Sequence, residues 1–324
     1  MKLQNNFTTI EQSKKLLELG VPEWTADMFF YDVNSDKEYG ELSKQNVEEL
    51  AYGNRFEVAD TKENPYDFVL WKKTKEGITW DSPWGKGRPG WHTECVVMIN
   101  KIFGDNIDIH GGGVDLKFPH HENEMAQSEA ACSNSLANYW MHNGHVMVNG
   151  VKMSKSLGNF ITAHELLEKH PANVIRLSIL KTSYRLPFDF TEALFKEAGT
   201  INDKVMNSLK QANLEVQLKD LEVGKVIQDD KINEIMDDDF NTSNLVTYLL
   251  DLVKELNAKM RAKEEFADTY DKIVLINYIL GLEYDLVKLT DEDKALYKQW
   301  IEYRNNKDFE NADKLRSKLV EKNI

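Results

Sequence analysis

The stretch HNGHVMVNGVKMSKSLGN, His142 to Asn159, decides how this chain is read. Val146, Val148 and Val151 alternate about Asn149-Gly150, the dipeptide best suited to a two-residue turn, so the first half predicts a β-hairpin. Lys152 and Lys155 then fall three apart in a Ser and Gly context. Lysines held on such a mobile loop can swing onto the phosphates of ATP and neutralise the charge that develops as pyrophosphate leaves. A solvated loop with two lysines is the plainer alternative. The unbroken KMSKS followed by Leu157-Gly158-Asn159 is hard to obtain by chance and favours the phosphate role.

Outward from this stretch, residues 80 to 185 alternate between strand and helix signals. NIDIHGGG (Asn106 to Gly113) predicts a strand running into a glycine-rich loop, and PHHENEMAQSEA (Pro119 to Ala130) a helix with proline near its first turn. Thr162 with Glu165 is a capping-box signal for the helix carrying Leu166 and Leu167. Upstream, MFFYDV, YGELS, FEVAD and FVLWKK predict short extended segments, preceded by a polar, helix-prone lead with Ile10, Leu16, Leu17 and Leu19 as apolar positions. Beyond about residue 190 the pattern is helical. Leu194, Ala198, Ile201, Val205 and Leu209, and later Leu245, Leu249, Leu252, Leu256 and Met260, each step by three or four and so cover one helix face. The expected fold is α/β followed by all-α, a Rossmann-like parallel sheet and then a helix bundle.

Composition narrows the function classes. The 324 residues are 41% apolar and 29% charged, the balance of an ordinary globular chain. No apolar run reaches the roughly 18 residues of a membrane span, and residues 1–20 lack the apolar core of a signal peptide, so a cytoplasmic location and no membrane partner are expected. Two cysteines, Cys95 and Cys132, make no disulfide framework. A net charge of −14 disfavours broad affinity for nucleic acid, and such a partner would need a local basic surface.

Several side chains could carry chemistry. His120 and Glu124 lie four apart on the expected helix, so both leave one face and can meet one cation. Cys95, in GRPGWHTEC, could join them, since Cys, His and Glu together suit zinc. Spacing alone favours a solvated helix face and a packing cysteine, although Trp91, His92, His110 and His121 nearby in sequence tilt it toward a metal. Cys132 has no such company and reads as packing. Gly111-Gly112-Gly113 is either a plain turn or a place where backbone approaches a ligand, and Asp115 beyond it could accept hydrogen bonds from ribose hydroxyls.

With KMSKS, the stretches SPWGKGRPGWHTEC (Ser82 to Cys95), DIHGGGVDLKFPHHENE (Asp108 to Glu124), NYWMHNGHVMVNGVKMSKSLGNF (Asn138 to Phe160) and MDDDFNT (Met236 to Thr242) resemble the cysteinyl branch of the class I aminoacyl-tRNA synthetases. FENADKLRSKL (Phe309 to Leu319) resembles the start of that family's carboxy-terminal region, and the likeness runs from about residue 29 to the end. It implies a Zn2+ ion that takes the substrate thiol, with Cys95, His120 and Glu124 matching three of four ligands. It also places Trp91 and His92 around the amino-acid pocket, Gly112 and Asp115 toward adenosine, and Lys155, with Lys152, on the phosphates of ATP, which enters with Mg2+. Cysteine, ATP and tRNA-Cys are the implied partners. A soft thiolate prefers zinc far more than a serine hydroxyl does, so no editing site is needed.

The sequence departs from that pattern in one respect. The family's His-x-Gly-His at a helix amino terminus and its fourth ligand, a cysteine, both belong near the start, yet no cysteine precedes Cys95 and residues 1–28 do not resemble the family. His142-Asn143-Gly144-His145 cannot stand in, because it runs into a strand. The expected layout is an unmatched lead over 1–28, a remnant of an inserted connective β region over 29–75, and the second half of the catalytic domain over 76–189. A helical tRNA-binding bundle over 190–285 and a shortened anticodon-recognition region over 286–324 follow. Such a chain is expected to have an incomplete parallel sheet and to be weak or inactive in cysteine activation without an amino-terminal fragment. The competing expectations are a non-catalytic binding module and a ligase joining activated cysteine to a small amine. A zinc hydrolase fits less well, since H-x-x-x-E lacks the H-E-x-x-H spacing.

Overall fold

The computed structural model describes residues 28–31, 33, 36–44, 67–225, 227–322 and 324. They fall into two compact units, Met1–Gly144 and His145–Ile324. The helix-prone lead and FEVAD lie outside the described residues.

In the first unit, β1 (Met28–Tyr31), β2 (Phe68–Lys73) and β3 (Gly87–Pro89) form an antiparallel sheet in that order. Helix α1 (Trp91–Phe103) leads to β4 (Ile107–Gly113), which pairs in parallel with β5 (Ala137–Asn143). A parallel pair needs a crossover, and here it consists of a wide turn over Lys117–His121 and helix α2 (Glu122–Cys132). Regular α2 starts at Glu122, three residues later than the sequence suggested; Pro119–His121 lie in the wider turn, and the extended Phe118 stops the helical path from reaching back past Pro119. The three glycines are not a loop. They lie inside β4, opposite Met141, His142 and Asn143, where pairing with β5 overrides the weak strand preference of glycine. YGELS is likewise not extended: residues 37–44 form turns, and the N–H groups of Gly40, Leu42 and Ser43 donate to the buried Glu122 carboxylate at 2.9, 3.2 and 2.7 Å. A carboxylate that collects three N–H donors favours that bend over a strand.

In the second unit, β6 (Val146–Val148) and β7 (Val151–Lys152) form the expected hairpin, and β8 (Phe188–Phe190) pairs in parallel with β6. Asn149 and Gly150 both have positive φ, 50° and 79°, as a two-residue turn of this kind requires. Helix α3 (Ala163–Lys169) carries the complete Thr162–Glu165 capping box, and α4 (Ala172–Leu180) follows. Then come α5 (Glu192–Leu218), α6 (Asp230–Asp237), α7 (Thr242–Ala262), α8 (Ala267–Leu280), α9 (Asp291–Asn305) and α10 (Phe309–Glu321). All five apolar positions read on α7 are buried, and on α5 the stripe starts at Phe195 instead of the half-buried Leu194. Phe195 is drawn inward by stacking on His170 and Phe190, with ring centroids 4.1 and 5.6 Å away. The protein is therefore α/β followed by all-α, with a small parallel sheet and a helix bundle. Among the described residues no helix is long and apolar enough to cross a membrane.

Candidate functional site

The first turn of α2 buries Glu122, Asn123 and Glu124 in succession. Polar groups tolerate such burial only when hydrogen-bonded, and each of these three has partners. Glu124 Oε1 lies 2.9 Å from His120 Nε2, and Glu124 Oε2 lies 2.7 Å from His110 Nε2 on β4. Burial alone would raise the Glu124 pKa, but the hydrogen bonds from His110 and His120 outweigh it and hold the carboxyl at about 2.

Cys95, on the second turn of α1, places Sγ 3.8 Å from His120 Nε2. Its thiol is pushed up to about 12, first by burial and then by the charge of Glu124. Ligand atoms of Cys95, His120 and Glu124 lie within 4.8 Å of one another. One sulfur, one imidazole and one carboxylate are a donor set that fits a borderline-soft divalent cation such as zinc. A second trio, His110, His121 and Glu124, meets the same distance. It differs from the first in having no sulfur, and in it His121 Nδ1 is engaged by His142 Nε2 at 2.8 Å.

Of the remaining sequence-predicted residues of this unit, Trp91 and His92 lie against His120. Trp91 stacks on His120, centroids 4.2 Å apart, while its outer face is exposed. His92 approaches His120 with Nδ1 to Nδ1 at 2.6 Å, and burial first, then the His120 charge, lowers its pKa to about 4. Burial lowers His121 to about 4 as well. Gly112 lies against His121, where a Cβ would stand 2.7 Å from Cε1, and Asp115 is exposed in the turn after β4.

In the second unit, Lys152 ends β7 and Lys155 opens the following turn, both exposed. Asn159 ties the loop together: its Oδ1 accepts from Ser154 N at 2.9 Å and its Nδ2 donates to Lys152 O at 3.1 Å. Lys155 Nζ lies 5.8 Å from the centre of the Phe160 ring. Cys132 accepts a hydrogen bond from Asn100 Nδ2 and stands apart from both candidate metal groups.

Sequence reasoning missed Tyr39, Glu122 and Asn123. A local signal for two of them did exist: from His120 to Glu124 no apolar residue appears, although the segment crosses between two strands. Tyr39 gave no signal, being 84 residues from its partner Asn123.

The model of the tRNA synthetases class I (C) catalytic domain matches residues 7–200, starting ahead of the quoted motifs, and that of the DALR domain matches residues 231–284. The chain belongs to the class I (C) tRNA synthetase family. Among relatives, the cysteine–tRNA ligase of Oceanobacillus iheyensis is 41% identical, over 95% of this chain and 69% of its own length. That of Anoxybacillus flavithermus is 40% identical, over 99% of this chain and 72% of its own. The chain thus matches about seven-tenths of these relatives. A crystal structure of LeuRS from Agrobacterium radiobacter, in a ternary complex with tRNA, aligns at a TM-score of 0.48 and 15% identity, covering 64% of this chain and 34% of that one.

Proposed function

We propose that the chain carries the chemistry of a cysteine–tRNA ligase, with cysteine, ATP and tRNA-Cys as its substrates and the cytoplasm as its place of work. The observation that supports this most directly is the convergence of the half-buried Cys95 Sγ with the buried His120 Nε2 and a Glu124 oxygen. These three would hold Zn2+. When bound, the ion supplies a Lewis acid that accepts a thiolate far more readily than an alcohol.

The chain's own residues then have distinct tasks. Trp91 and His92 wall the amino-acid pocket beside His120. The strand end at Gly112, packed on His121, and the Asp115 carboxylate in the turn after it face adenosine, with Asp115 accepting from ribose hydroxyls. Lys155, with Lys152, meets the phosphates of Mg2+-bound ATP, and the Asn159 hydrogen bonds shape the loop that carries them. The helix bundle favours tRNA over a small amine as acceptor, since a small amine gives a bundle nothing to recognise.

Zinc stoichiometry and amino-acid binding test the reading together. The zinc-loaded chain is expected to bind cysteine at least about 100-fold more tightly than serine, and Cys95→Ser to lose the metal. Equal affinity for the two amino acids, or unchanged zinc content in Cys95→Ser, overturns it.

A further inference from the structure

Three buried side chains of the first unit, Tyr39, Asn123 and His120, and the half-buried His92 form one string that ends at the candidate metal site. Tyr39 Oη bonds Asn123 Oδ1, Asn123 Nδ2 lies 3.1 Å from His92 Nε2, and His92 Nδ1 lies 2.6 Å from His120 Nδ1. His120 Nε2 then faces Glu124 Oε1 at 2.9 Å and Cys95 Sγ at 3.8 Å. We propose that Asn123 is a positioning residue which, through His92, sets the nitrogen that His120 offers to a cation.

The argument is a count of protons. A neutral imidazole carries one N–H, a carboxamide has one donor end and one acceptor end, and a phenol can donate or accept. The string can therefore be satisfied in two senses. In the first, Tyr39 donates to the Asn123 oxygen, Asn123 nitrogen donates to His92 Nε2, His92 Nδ1–H donates to His120 Nδ1, and His120 Nε2–H donates to Glu124. That sense closes the metal site, because the proton occupies the lone pair a cation needs. In the second, the carboxamide is turned over: His120 Nδ1–H donates to His92 Nδ1, His92 Nε2–H donates to the Asn123 oxygen, and the Asn123 nitrogen donates to Tyr39 Oη. Only this sense leaves His120 Nε2 bare. Both senses hold the same number of protons and keep each imidazole neutral, so the choice between them is one of direction, not charge. A ligand imidazole is normally fixed by what its other nitrogen meets. Here that partner is a second imidazole, and Asn123 is what orients it.

The inference rests on the metal reading above, and the test separates the two. Full-length chain labelled with 15N-histidine is observed by NMR with and without zinc, with signals assigned through His92→Gln. Zinc is expected to place the proton of His120 on Nδ1 and that of His92 on Nε2. Asn123→Asp accepts from both Tyr39 and His92 and so suits the second sense alone, and its zinc affinity is expected to stay within about threefold of wild type. Asn123→Leu leaves His92 Nε2–H without an acceptor and is expected to lose about 10- to 100-fold. A zinc-loaded protein with the His92 proton on Nδ1, or a folded Asn123→Leu that binds zinc like wild type, overturns the proposal. Should Asn123→Leu fail to fold, Asn123→Asp decides: a loss of zinc affinity of about tenfold or more in that variant overturns the proposal. Zinc retained by Cys95→Ser would instead show that the metal reading itself had failed.

Discussion

At the residue scale, Gly112 shows how one hydrogen in place of a methyl group governs the packing beneath β4. A Cβ there would meet His121 Cε1 at 2.7 Å, Nε2 at 3.0 Å and Leu116 Cδ1 at 3.2 Å. His121 has little room to retreat, because its Nδ1 is engaged by His142. Gly112→Ala is therefore expected to destabilise the fold by about 1–3 kcal/mol, read by urea unfolding. Gly111→Ala is the control: its nearest atom would be Met141 O at 3.7 Å, an ordinary contact, and no loss is expected. A Gly112→Ala protein as stable as Gly111→Ala would contradict the packing argument. None of this was legible in the sequence, where three successive glycines look like a turn. The parallel pairing that makes a strand of them comes from β5, whose first residue lies 24 positions beyond Gly113.

At the scale of elements, the local signals were strong wherever burial repeats along the chain. The stepping by three and four marked α5 and α7, and Asn149-Gly150 marked the hairpin, since turn chemistry and amphipathic phase are both encoded within a few residues. The pairing of α9 with α10 adds a testable electrostatic tie. Asp293 accepts from Lys322 Nζ at 2.6 Å and from Thr290 N and Oγ1 at 3.1 and 2.7 Å. Lys322 first, then Thr290, lowers its pKa to about 2. The folded value lies below the roughly 3.9 of a free Asp. Its stabilisation is therefore present above that pH and is lost as pH falls through about 2. The stability gap between wild type and Asp293→Asn, followed by urea unfolding, is expected to narrow between about pH 4 and pH 2. A gap that stays constant across that window would rule out the tie.

At the scale of the whole molecule, the net charge of −14 sets how the chain meets polyanions. Without a cationic surplus to release counterions, its affinity for unrelated duplex DNA is expected to be no tighter than about 10⁻⁴ M at physiological salt, measurable by fluorescence anisotropy. Micromolar binding there would refute it. The parts of the site that sequence could reveal were those held in contiguous motifs, Cys95 with Trp91 and His92, and His120 with Glu124. Contacts such as Glu122 with residues 40–43 span about 80 positions and leave no local trace. That last contact has an evolutionary consequence. Glu122 grips peptide amides and ignores side chains, so its own grip leaves the letter at 42 free to drift between species so long as it does not become proline, whereas the φ of 100° at Gly40 holds that position to glycine.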